Sequence, residues 1–119
     1  MCLLFAGIKK TTEDIVCYKV YVSFEGKLVS PYMRSPIPNI NKIAKTCLGE
    51  PYGSISCVDK GFHSFATLES ATKESKYLIG LNPVIVKCII PKGSKCYIGS
   101  FCGETSYCSD SIKLIEICA

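Results

Sequence analysis

From Val16 to Phe24 every second residue is apolar: Val16, Tyr18, Val20, Val22 and Phe24 alternate with Cys17, Lys19, Tyr21 and Ser23. A period of two predicts a half-buried strand whose first set of side chains faces the core. Glu25-Gly26 then makes a two-residue turn into KLVSPY, so Asp14 to Tyr32 reads as a β-hairpin ended by Pro31. The stretch that follows has turn chemistry at both ends, SPIPN and LGEPYG. Between them Asn39 is placed to cap a short helix, INKIAKTCL, closed by Gly49. Ser54 to Val58 is a short apolar strand candidate, and Lys60-Gly61 turns into the strand FHSF.

The pattern then changes period. Leu68, Ala71, Ser75 and Leu78 recur at helical spacing within Thr67 to Ile79, with Thr67 as N-cap and Glu69 in the first turn. Lys73 and Lys76 fall near the C-terminal end of the dipole, and Gly80 is placed to cap it. VIVKCII, Val84 to Ile90, is a near-continuous β-branched run of the kind buried on both faces. Pro91-Lys92-Gly93 is expected to fold it back on KCYIGSF as a second hairpin. The polar segment CGETSYCSD reads as a connection, and SIKLIEI as the last strand. This order predicts an α+β domain, residues 1–119. Its small antiparallel or mixed sheet has about six strands, with one main helix and room for one short one.

Composition narrows the class. A chain of 119 residues, 48% hydrophobic and 20% charged, is one domain and has too much apolar content for disorder. The net charge of +4 is dispersed along the chain, and Arg34 is the single arginine. A nucleic-acid binder is expected to show a denser basic stripe with arginine forks, so nucleic acid is not the expected partner. The nine cysteines are odd in number, and the N-terminus MCLLFAGIKK has its lysines after a short apolar run, the reverse of a secretory signal. That combination predicts free thiols in a reducing cytoplasm, packed as small hydrophobes. Their spacing fits no zinc finger or ribbon, so no metal or other cofactor is expected. No apolar run is long enough to span a membrane.

Candidate chemistry is sparse. His63, the only histidine, sits in GFHSF at a strand-to-helix junction, where an imidazole can act as a base or hold a ligand. Tyr18 and Lys19 are adjacent on the first strand and point to opposite faces; if both faces are covered, Lys19 is a candidate anion holder. Glu104 and Asp110 bracket Ser106, Tyr107 and Ser109 before the last strand. Acids there can position a hydroxyl, or simply form turns. The chain has no phosphate-cradling glycine loop, nucleophile elbow or paired-histidine motif.

The blocks DIVCYKV, KGFHSF before a helix, and VIVKCIIPKGSKCYIGSF…SYCSDSIKLIE resemble a group of small proteins from gut bacteria and phages, over most of the chain from Asp14 onward. That resemblance brings no activity with it. More distantly, the order of elements is similar to the layout of the ADP-ribosyltransferase superfamily, which grips NAD on a split sheet. That layout has an Arg or His beside an early tyrosine, a Ser or Tyr on a strand before a helix, and a Glu leading into a late strand. It implies places for Lys19, Ser64 and Asp110; Lys19 lacks the fork or imidazole, and Asp110 is one methylene short. The function expected is therefore a non-enzymatic bacterial or phage module binding a protein or small ligand. The alternative is an NAD- or ADP-ribose-binding, transferase-like domain. Whichever holds, the candidate ligand contacts are Tyr18, Lys19, His63, Ser64, Tyr107 and Asp110.

Overall fold

The computed structural model describes residues 3–31, 36–49, 57–58, 60–101 and 103–118, with side chains left out for 3–9, 57–58 and 101. Ten strands occur among them. The first is β1 (Leu3–Lys10), followed by β2 (Ile15–Phe24), β3 (Lys27–Val29), β4 (Ile43–Lys45) and β5 (Cys57–Val58). Next come β6 (Phe62–Phe65), the helix α1 (Leu68–Lys76) and β7 (Val84–Ile90). The chain closes with β8 (Lys95–Phe101), β9 (Glu104–Ser109) and β10 (Ser111–Ile117). The domain is α+β, with more strands than the six of the sequence reading.

The sheet is antiparallel throughout its ladders, in the order β4-β10-β7-β2-β6-β9-β8-β1-β5, with β3 also on β2. The β2–β3 hairpin forms as expected, because Glu25 and Gly26 both take positive φ, 51° and 77°, matching the twist of the paired strands. Strand β2 is buried on both faces. Val20 and Val22 face one way, and Cys17, Lys19 and Tyr21, all below 8% exposed, face the other.

That second face carries the main core. Cys17 and Tyr21 of β2 pack there with Val86, Cys88 and Ile90 of β7, Ile112 and Leu114 of β10, and Cys96 of β8. Strands β8 and β10 lie far apart in the ladder yet share one cluster, so the sheet curls over its own inner face. The outer face is covered at Val20, Phe65, Ala71 and Ile85, where α1 packs. Thr67 starts that helix as predicted, its hydroxyl accepting from the Ser70 amide at 3.1 Å.

Four expectations are corrected. Residues 40–48 do not form a helix. Asn41 takes φ 62°, and 43–45 add to the sheet edge beside β10. Ile43 is more than half exposed, so the segment has no apolar stripe to bury and gains more from ladder hydrogen bonds. Second, β7 and β8 form no hairpin: β7 pairs with β2 and β10, β8 with β1 and β9. Residues 91–94 are a corner that carries the chain between the two halves of the curl. Thr11 locks it, its Oγ1 donating to the Pro91 carbonyl at 2.8 Å and accepting from the Ser94 amide at 2.9 Å. Third, the polar connection is mostly strand β9, turned from β8 at Gly103 (φ 80°). Finally, α1 runs on into a 3-10 turn at Ile79–Leu81, closed by left-handed Asn82 rather than by Gly80. The strand expected at Ser54 is described only at Cys57–Val58. Among the described residues no helix is long and apolar enough to cross a membrane.

Candidate functional site

Two elements share one edge of β2. Toward its C-terminal end β3 pairs with Val22 to Phe24, and β6 is in register only at Tyr18↔Phe65. Between those contacts β6 leaves β2 and follows β9 through all four of its residues. The sheet therefore opens at residues 19–21, and Lys19 enters the opening. Its Nζ donates to the His63 carbonyl at 2.6 Å, taking up a backbone acceptor on the β6 edge that faces β2. The same nitrogen lies 5.5 Å from the centroid of the Tyr21 ring.

A cleft of about 140 Å³ fills the gap. Lys19, Val20 and Tyr21 form one wall, and Gly61, Phe62, His63 and Phe65 the other. Val20 and Lys19 belong to opposite faces of β2, and both border the cleft. Glu74 of α1, with Ser30, Pro31, Pro36, Pro38 and Thr46, completes the lining. Prolines have no amide to donate, so that rim offers apolar ring edges and carbonyl oxygens. Val29 bridges Pro36, and the Ile37 amide donates to the Leu28 carbonyl at 3.1 Å, which holds this wall on the β2–β3 hairpin. Gly61 seats the other wall. At φ 143° it lies against Cys108 and Leu48, with no room for a side chain.

Burial dominates the electrostatics. It pushes the Lys19 amine below its ordinary value, opposed by the thiols of Cys88, Cys17 and Cys108. It also pushes the Tyr21 phenol up, so that wall stays neutral through the physiological range. Cys17 and Cys88 are directly opposed on β2 and β7, under Lys19. The hydrogen bond they share, and then burial, hold the Cys88 thiol above its ordinary value. Cys108 lies 3.7 Å from Nε2 of His63.

Of the six residues expected from the sequence, Lys19 and His63 meet at the cleft; the other four lie elsewhere. Tyr18 packs beneath α1 with Val20 and Phe65. Ser64 is wholly buried on the inner face, its hydroxyl against the Cys17 thiol. Tyr107 is opposite Ser64 in the ladder and packs on the main core, where burial raises its phenol. Asp110 forms the corner between β9 and β10. Its Oδ1 accepts from the Lys95 amide and the Ser111 hydroxyl, each at 3.2 Å. The acid leading into β9 is Glu104, but Lys73 at 2.9 Å and Ser70 at 3.3 Å hold it on α1. The Lys73 hydrogen bond lowers its carboxyl.

Reading the sequence missed Tyr21, Phe62, Phe65 and Glu74 as cleft walls. Their one signal was negative: an aromatic on the supposedly solvent face of β2, and an acid inside the helical stripe. No protein-family model matches the chain, and neither the curated proteins nor the solved structures hold a match.

Proposed function

We propose that the protein is a small-ligand-binding module and that its ligand inserts one planar ring into the cleft between β2 and β6. The observation that carries this reading is the opening of the sheet at residues 19–21, with a buried lysine amine at its edge. A cavity of about 140 Å³ is close to the size that admits benzene and too small to enclose a nucleotide. Tyr21, Phe62, Phe65 and the prolines supply apolar contact, and Lys19 supplies a donor for one acceptor atom on the ring.

Within that class, a nucleotide of the NAD or ADP-ribose type is the second reading, supported by the split of the sheet. A transferase reaction has less support. Lys19 reaches the cleft, but Ser64 and Asp110 do not line it, and the acid that does, Glu74 of α1, stands outside the implied layout. Binding without catalysis is the better account. The thiols at 0% exposure in the core, Cys17, Cys88, Cys96 and Cys108, fit a reducing cytoplasm.

The test is a thermal-shift screen with benzyl alcohol, nicotinamide, NAD, ADP-ribose and cyclic nucleotides, since a ligand of the folded state raises the Tm. At least one ring compound should give a concentration-dependent rise that His63→Ala reduces. A screen in which none shifts the Tm at millimolar concentration contradicts the reading.

A further inference from the structure

An ammonium taken out of water needs a counter-charge; without one, the neutral amine is favoured. Lys19 is only 7% exposed, and among the described residues no carboxylate pairs with it. Its Nζ has a backbone carbonyl and an aromatic face as neighbours. The titratable groups around it are the thiols of Cys17, Cys88 and Cys108 and the Tyr21 phenol, with His63 and Glu74 lining the same cleft. The other lysines whose side chains are described are half-buried, as at Lys87 and Lys113, or exposed. Burial pushing the Lys19 amine down agrees with this placement. A desolvated amine in an apolar cleft is a nucleophile toward carbonyl carbon.

We propose that Lys19 captures an aryl aldehyde in the cleft as a reversible imine. This rests on the cleft being the ligand site. The Nζ lone pair forms the C–N bond, and the two protons the nitrogen loses leave with the carbonyl oxygen as water, giving C=N. No electrons are exchanged, so no oxidant or reductant is consumed. The ring lies between Tyr21 and Phe62, and its aldehyde carbon meets the amine held at the His63 carbonyl. Hydrolysis releases the aldehyde unchanged.

The experiment treats the full chain with benzaldehyde and sodium cyanoborohydride, which reduces the imine to a stable benzylamine, at about pH 7 and about pH 9. Peptide mapping then locates the adducts. At the lower pH Lys19 should be the principal benzylated lysine, because exposed lysines are protonated there; the α-amine, ordinarily titrating at about 8, is mapped separately. Its share should fall at the higher pH as they lose protons. Benzyl alcohol should compete with the labelling. Lys19→Met should lose the dominant adduct while still unfolding cooperatively. Labelling of Lys19 no greater than that of exposed lysines at the lower pH overturns the proposal. If benzyl alcohol still raises the Tm in that case, the cleft stands and only the imine fails; if it does neither, the cleft reading fails too.

Discussion

Gly61 is the residue on which the cleft wall turns. A Cβ there would sit 2.6 Å from Cys108 Sγ and 2.7 Å from Leu48 Cδ1, at a φ of 143° that side chains rarely adopt. Backbone strain and overpacking together predict that Gly61→Ala destabilises by about 2–4 kcal/mol, read from the urea midpoint. Cys108→Ala in the same chain should return part of that loss, a coupling that a double-mutant cycle measures. Lys19 makes a pH prediction. Its folded value lies below the ordinary 10.5, so between the two values the unfolded chain binds more protons and stability rises with pH. Tyr21 acts oppositely: its folded value is raised, so above its ordinary 10.0 the unfolded phenol ionises first and stability falls. The raised Cys88 thiol works in the same direction as Tyr21 from its ordinary 9.0 upward, so the climb due to Lys19 should turn over between about pH 9 and 10. In Lys19→Met the climb should vanish, with neutral-pH stability unchanged or higher. A climb that survives the substitution would assign it to another group. At this scale the sequence was half legible. His63 stood out as the single histidine, and Lys19 as a lysine that matters only if both faces of its strand are covered. Which face is which depends on what packs there, and the sheet's curl reversed the expectation by burying the Cys17–Lys19–Tyr21 face most deeply.

At the scale of elements, two local signals were read correctly. The β2–β3 turn follows from Glu25-Gly26, and α1 starts at Thr67 because its hydroxyl caps the Ser70 amide. Thr67→Ala should cost about 1 kcal/mol of stability, measured by chemical denaturation, because the first turn loses that acceptor. Elements failed to be legible where long-range pairing decides. Residues 91–94 look like a hairpin turn, yet Thr11 and Asp14, some eighty residues earlier, bind that loop and make it a corner. Asp110 has the same explanation. Its carboxylate serves the Lys95 amide fifteen residues back, so it builds a corner rather than a site. Strand β4 lacks even a pattern, and is a strand because β10 offers it an edge.

For the whole molecule, the curled sheet has two consequences that can be checked. The first concerns the thiols. Cys17, Cys88, Cys96 and Cys108 are enclosed, whereas Cys47 and Cys118 are exposed. Among the six thiols the structure describes, iodoacetamide on the native protein should alkylate Cys47 and Cys118 first, by peptide mapping, leaving the four core thiols protected until unfolding. Early alkylation of Cys17 or Cys88 would contradict a closed inner face. The second is that, among the described residues, β2 and β6 pair only at Tyr18↔Phe65, and the ligand site proposed for this fold is the opening beside that contact. The most direct measurement is an amide chemical-shift titration of the isotopically labelled protein with benzyl alcohol and nicotinamide. The amides of Lys19 to Tyr21 and Gly61 to Phe65 should move together and saturate, with the far edge at β4 unchanged. Saturable shifts centred elsewhere, or none at millimolar ligand, would contradict the account.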